Sequence, residues 1–337
     1  MPPDLRAALG PLELRNPLVC GSGEHVATLD DLMAAVDAGA AAVVAKSANE
    51  TEAGRRQWDA AAWTFIDAER REVEPDARAT IFNRSGLVPQ PWPEWLETLA
   101  RADDHARAAG SYVAASVIPG DERELPGLAA DAERAGLRWL ELNLSAPHSG
   151  EARPGAIERP SEPDRVAALT GAVRAATSLP LTVKLPAESA DVVALARAAR
   201  GAGADALVLT GRQLGFMPDL ETRRPVLGTF GAASGPWSLP LALRWVAKTR
   251  LALGADVPLV GTNGARDGRD VARFLLSGAR AVQVATAAIV EGFGALGRML
   301  AELSAYLEEQ GVDAADIVGE AADAAMSYEE VAVRSSR

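Results

Sequence analysis

Eight short apolar runs, each followed by a longer amphipathic stretch, constrain the fold of this chain more than any other feature. The runs are Pro17-Leu18-Val19-Cys20, Ala42-Val43-Val44-Ala45, Tyr112-Val113-Ala114-Ala115, Trp139-Leu140-Glu141-Leu142, Leu181-Thr182-Val183-Lys184, Ala206-Leu207-Val208-Leu209, Pro258-Leu259-Val260 and Ala281-Val282-Gln283-Val284. Each has the length and β-branched content of a buried strand. Residues 29–39, 92–109, 125–136, 163–178, 190–203, 239–253, 268–278 and 290–310 have helical spacing of apolar residues. Strand and helix therefore alternate along the chain, as in βα units around a parallel sheet, and eight units predict a (β/α)8 TIM barrel.

The 337 residues are too many for an average domain and suit one large barrel or two smaller units. No linker divides them. We expect a single barrel over residues 1–312, followed by an Ala- and Glu-rich tail, 313–337, that forms a last helix. Two βα connections, 47–91 and 211–237, are long enough to be functional loops over the C-terminal face or to carry an extra hairpin, with Thr80-Ile81-Phe82 as one strand of it.

A net charge of -12 disfavours nucleic-acid phosphates as partners, because that binding draws on clustered Lys and Arg. The single cysteine, Cys20, excludes an intrachain disulfide framework and a cysteine-held metal cluster, and it fits a reducing cytoplasm. The N-terminal residues 1–16 lack the apolar core of a signal peptide, and no membrane anchor is expected. The histidines and acidic residues show no zinc or iron spacing, so no metal is expected.

Active sites of βα barrels lie where the strands end at the C-terminal face. At those ends this chain places Gly21-Ser22-Gly23, Lys46-Ser47, Ser116, Asn143, Lys184, Gly211-Arg212, Asn263-Gly264 and Thr286. Two lysines and many small polar groups at the tips of otherwise apolar strands point to a shared site. A lone lysine there reads equally as a rim ion pair.

Taken together and in order, several motifs resemble the flavin-binding dihydroorotate dehydrogenase family over nearly the whole chain. They are Asn16-Pro17 with Gly21-Ser22-Gly23, Ala45-Lys46-Ser47, Asn83-Arg84-Ser85-Gly86-Leu87, Glu141-Leu142-Asn143-Leu144-Ser145, Val183-Lys184-Leu185, Ser234-Gly235-Pro236, Val260-Gly261-Thr262-Asn263-Gly264 and Gln283-Val284-Ala285-Thr286-Ala287. The resemblance implies an FMN across the barrel mouth. Its phosphate would lie by Asn263, Gly264, Ala285 and Thr286, with Ser234 and Gly235 covering the same end. Lys46 and Lys184 would face the flavin ring, where positive charge stabilises the reduced form. Gly21, Ser22, Gly23, Ser47, Ser116 and Asn143 would complete the cofactor site.

The same comparison marks a departure. Asn83 and Asn143 match family asparagines that contact the pyrimidine substrate, with Ser85, Gly86 and Leu87 beside them, but the other two asparagine positions hold His148 and Gly211. Where the family carries a Cys or Ser base, this chain has Ala146. A methyl group accepts no proton. His148 is the candidate replacement acid or base, or a neutral ligand contact, and Ser145 is a second candidate. Arg212 either clamps a substrate anion or pairs with Asp219 or Glu221 in its own loop. His25 is a weaker candidate, and His105 a surface residue.

These residues predict an FMN-dependent oxidoreductase acting on a C–C or C–N single or double bond of a small polar metabolite other than dihydroorotate, in a specialised pathway. The alternatives are an authentic dihydroorotate dehydrogenase with a replaced base, and a flavin-binding protein without catalysis. A soluble electron acceptor or donor is expected as the redox partner, and a homodimer is compatible with the sequence.

Overall fold

Alternate residues of each apolar run face opposite sides, and this alternation builds two hydrophobic layers. Leu18, Val43, Val113, Leu140, Leu181, Leu207 and Val282 point outward into a cluster shared with the helices, while Val19, Val44, Ala114, Val208 and Val260 fill the barrel interior. The computed structural model describes residues 2–76, 78–145, 161–327 and 329–331.

The chain opens with a hairpin, β1 (Ala7–Leu9) and β2 (Leu12–Leu14), whose Leu9, Leu12 and Leu14 pack against the interior residues and close the barrel floor. Barrel strands β3 (Leu18–Cys20) and β4 (Ala42–Val44) follow, separated by helix α1 (Leu29–Asp37). The first long connection carries a short helix, α2 (Glu52–Arg56), and the antiparallel pair β5 (Ala62–Ile66) and β6 (Thr80–Arg84). After α3 (Trp92–Ala108) the barrel resumes with β7 (Tyr112–Val117), α4 (Leu125–Arg134), β8 (Leu140–Asn143), α5 (Pro163–Ala176), β9 (Leu181–Lys184), α6 (Val192–Gly201) and β10 (Ala206–Leu209).

The second long connection holds β11 (Gln213–Gly215) and β12 (Gly231–Ser234). Then come α7 (Leu239–Leu253), β13 (Leu259–Thr262), α8 (Gly268–Leu276), β14 (Ala281–Val284), α9 (Thr286–Glu291) and α10 (Gly294–Gln310). The eight barrel strands close in the order β10-β13-β14-β3-β4-β7-β8-β9, each pairing parallel to its neighbours. The predicted (β/α)8 barrel is therefore the observed fold, and every one of the eight runs forms a strand.

Two features depart from expectation. The two long connections meet in one four-stranded sheet, order β11-β12-β6-β5, so the predicted strand around Ile81 has partners on both sides. The last helical stretch, expected over 290–310, starts earlier and is broken: Gly292 and Phe293 separate α9 from α10. Beyond α10, buried Ala314 and Ile317 join the outer core, and a short helix α11 (Glu320–Asp323), which buries Ala322, is tied to α7 by an Arg250 to Asp323 ion pair of 2.7 Å. Among the described residues no helix is long and apolar enough to cross a membrane.

Candidate active site

Inward-facing side chains change from apolar at the floor to polar at the mouth, because each strand's last inward position is where the sequence puts its polar residue. Glu141 on β8 is fully buried, and its Oε1 accepts from Lys184 Nζ at 3.1 Å while Oε2 accepts from Gln283 Nε2 at 2.6 Å. That carboxylate fixes the lysine and the glutamine of two other strands. Two residues further up β8, Asn143 donates through Nδ2 to Ser47 Oγ at 3.3 Å, and its Oδ1 accepts from Ser145 N at 3.0 Å and Ser145 Oγ at 2.7 Å.

Above this layer lies a cleft lined by residues from all round the mouth, among them Ser22, Lys46, Asn83, Asn143, Lys184, Arg212, Ser234, Gly264 and Thr286. The strand ends that the sequence singles out thus converge on one cavity. The antiparallel sheet forms its outer wall through Ile81, Asn83 and Ser234.

Three charged groups cluster at one side of the cleft. Lys46 Nζ donates to Glu24 Oε1 at 3.0 Å, with both side chains about nine-tenths buried or more. Burial pushes the Lys46 ammonium below its usual range, and Glu24 counters that shift. For Glu24 itself burial raises the carboxyl, but the charges of Lys46 and Arg212 prevail and hold it at about 2. The Arg212 guanidinium donates to Asn83 Oδ1 and, at 2.9 Å, to Ser85 Oγ, so it reaches into the cleft and braces both residues. Asn83 Nδ2 in turn donates to Ser85 Oγ at 3.1 Å.

The opposite end of the cleft is built from backbone and hydroxyls. Asn263 and Gly264 both take left-handed φ, 78° and 90°, after β13. The Asn263 side chain does not point at the cleft as a donor: its Nδ2 donates at 2.7 Å to both Thr210 O and Gly211 O, and it ties the β13 loop to the β10 loop. Ser234 Oγ and Thr286 Oγ1 lie 3.3 Å apart, and a small recess lined by Gly235, Gly264, Arg266 and Thr286 continues from them.

These parts suit FMN. Backbone amides, two hydroxyls and Arg266 can hold a phosphate in the recess. In the cleft, Gln283 Oε1 is buried with no hydrogen-bond partner among the described residues, an acceptor available to a ring N–H. Lys184 and Lys46, both lining the cleft, would supply positive charge to a ring bound there.

The predicted site residues fall into four groups. Gly21, Ser22, Gly23, Lys46, Ser47, Asn83, Ser85, Gly86, Leu87, Asn143, Ser145, Lys184, Gly211, Arg212, Ser234, Asn263, Gly264, Ala285 and Thr286 all line the cleft. Gly235 lines the recess instead. Ser116 is a correction: it is fully buried one layer below, where its Oγ meets Ser47 Oγ at 2.8 Å, so it supports the site without lining it. Ala146 and His148 lie outside the described residues.

Gly211 has a steric reason to be glycine. A Cβ there would stand 2.2 Å from Ser145 Cβ and 2.4 Å from its Oγ, so no asparagine fits while Ser145 keeps this position. The Ser145 hydroxyl is engaged by the neutral Asn143 amide oxygen, which is a poor proton acceptor. His105 is a helix-surface residue, paired through Nε2 with Asp37 Oδ1 at 2.7 Å.

His25 lies behind the cleft with Nε2 3.5 Å from Cys20 Sγ, and with Trp58, Trp63 and Phe293 it lines a second cavity alongside. Its Nδ1 is buried without a hydrogen-bond partner among the described residues. Burial lowers its pKa from 6.5 to about 4 and keeps the ring neutral. An imidazole that protonates less readily when folded stabilises the protein fully above pH 6.5, and the stability falls as pH drops towards 4, by up to about 3 kcal/mol. Urea unfolding between pH 7 and 4 should show that fall, and His25→Gln should flatten it. An unchanged slope in the variant would assign the loss to other groups.

Sequence reasoning missed Glu24, Gln283, Arg266 and the structural role of Glu141. Glu24 directly follows the Gly21-Ser22-Gly23 motif but is not part of it. Gln283 and Glu141 stand at inward positions of apolar strands, and that polar interruption was the available signal.

The family model for dihydroorotate dehydrogenase matches residues 72–307. The chain belongs to the dihydroorotate dehydrogenase family. It is 31% identical over 310 residues to the dihydroorotate dehydrogenase B (NAD(+)) catalytic subunit of Pyrococcus furiosus, covering 91% of this chain and 95% of that one. The corresponding subunit of Methanopyrus kandleri is 35% identical over 305 residues, 88% of this chain and 89% of the relative. That of Desulforudis audaxviator is 39% identical over 221 residues, 65% of this chain and 64% of the relative's length. The chain is accordingly an FMN-dependent oxidoreductase of this family.

Proposed function

We propose that this oxidoreductase interconverts a single and a double bond, C–C or C–N, in a small polar metabolite other than dihydroorotate. The observation that carries this reading is the placement of Arg212, whose guanidinium engages the Asn83 amide oxygen and the Ser85 hydroxyl within the cleft. An asparagine already held by a cation presents only its remaining donor to a ligand. A substrate whose polar groups expect the full asparagine set would lose on the order of 1–3 kcal/mol for each unmatched group. Ala146 and Gly211 support the same reading, since one supplies no base and the other no side chain.

FMN supplies the hydride transfer. Lys46 and Lys184 hold positive charge against its ring, Ser234, Gly264 and Thr286 hold its phosphate end, Asn83, Asn143 and Arg212 orient the substrate, and His148 carries the proton. The electron acceptor or donor is a soluble one, the working state of the chain is compatible with a homodimer, and the compartment is the cytoplasm.

Anaerobic mixing of the yellow protein with a panel of reduced metabolites tests the reading. Dihydroorotate should leave the flavin oxidised, a member of the panel should bleach it, and His148→Ala should slow that bleaching by about 100-fold or more. The relatives' names favour a second reading, dihydroorotate oxidation itself. Rapid bleaching by dihydroorotate would establish it and overturn the first. Flavin that stays oxidised with every metabolite would point to the third reading, a flavin-binding protein without catalysis.

A further inference from the structure

We infer that Glu24 is a positioning residue that holds two cations, Lys46 and Arg212, together at the cleft and so joins the flavin-side lysine to the substrate-side asparagine. Glu24 opens a single 3-10 turn after β3, Lys46 follows β4, and Arg212 follows β10, so the three come from separate parts of the barrel rim. Lys46 Nζ donates to Glu24 Oε1 at 3.0 Å, Arg212 lines the same cleft as this pair, and Arg212 donates to Asn83 Oδ1 and to Ser85 Oγ at 2.9 Å.

Each cation is unfavourable to the other. Burial works against the charge on both, and Arg212 lowers the proton affinity of Lys46 further. An intervening carboxylate reverses the sign of that interaction, because an opposite charge in contact favours the charged form. Among the described residues, the other titratable groups near Lys46 are already neutral or paired. His25, on the same turn as Glu24, is held neutral by burial, and Lys184 across the mouth is paired with Glu141 at 3.1 Å. Among the described residues Glu24 is thus the carboxylate in contact with Lys46, and without it the lysine faces the Arg212 charge uncompensated and loses its proton more readily.

The chain has three lysines, Lys46, Lys184 and Lys248, so each can be followed separately by NMR of protein labelled with 13C-lysine, with Lys248→Arg to assign the exposed signal. Glu24→Gln should lower the pH midpoint of the Lys46 signal, a drop of roughly ten-fold or more in proton affinity, and leave Lys184 in place. Arg212→Met added to Glu24→Gln should restore a large part of that drop. A loss of packing alone would not be repaired by removing a second side chain.

Arg212→Met by itself should raise the Lys46 midpoint, which tests the idea even if Glu24→Gln folds poorly. The midpoint potential of bound FMN should become more dependent on pH above neutrality in Glu24→Gln. An unmoved Lys46 midpoint in both single variants, or no restoration in the double variant, would overturn the inference. Because the lysine titration is read without any substrate, its failure is distinct from failure of the proposed reaction.

Discussion

Replacing Lys184 with methionine is expected to lower stability by about 3 to 5 kcal/mol and to slow flavin reduction by about 100-fold or more. Glu141, its partner at 3.1 Å, has no solvent exposure. Without the lysine, its remaining side-chain donor is Gln283 Nε2 at 2.6 Å, too little to offset a buried charge. Removing one member of a buried pair is far more destructive than removing both. The double variant Lys184→Met with Glu141→Gln should therefore unfold in urea close to the wild type while its flavin remains slow to reduce. Two measurements, unfolding midpoint and stopped-flow bleaching, separate these roles. A single variant that unfolds within about 1 kcal/mol of wild type would show that the pair contributes little to the fold.

Gly264→Ala is the second large effect, and it should leave the barrel assembled but colourless. The residue holds φ at 90°, and a Cβ would stand 2.4 Å from Leu239 N and 2.5 Å from its Cα, backbone atoms at the start of α7 that have no rotamer to escape into. Left-handed strain of about 1–2 kcal/mol adds to overpacking of about 1–3 kcal/mol. The local answer is movement of the β13 loop away from α7, which widens the recess between Gly235, Gly264 and Thr286 where the phosphate belongs. Flavin content after purification should fall at least ten-fold, with circular dichroism close to wild type. Full flavin content in the variant would mean that this turn does not hold the phosphate.

Much of this was legible in the residues. The alternation of eight apolar runs with helical stretches fixed strand number and order, since a parallel strand buried on both faces must be apolar and must be followed by a crossover helix. Lys46, Asn143 and Lys184 could be placed at the mouth because a polar residue ending an apolar strand has one end of the barrel at which it is solvated or engaged. Glu141 could not be read this way. A carboxylate at full burial makes sense only once Lys184 and Gln283, 43 and 142 positions away, are known to surround it.

The same limit applies to the long connections. Thr80-Ile81-Phe82 shows as a strand locally, but its second partner is β12, roughly 150 residues on, and pairing at that distance leaves no periodic trace in either segment. Ser116 was misplaced for a related reason: the period of two assigns it to the barrel interior correctly but says nothing of depth, and one layer separates a residue that lines the cleft from one that supports it.

The sequence by itself determined the barrel, the family and the end of the barrel where chemistry occurs, because those follow from period, order and residue type along the chain. Only the tertiary structure decided which groups meet: Glu24 on Lys46, Arg212 on Asn83 and Ser85, and Gly211 under Ser145. Electrostatic pairing and steric exclusion depend on distances across the barrel mouth, and those distances are set by closure of the sheet rather than by any local stretch of chain.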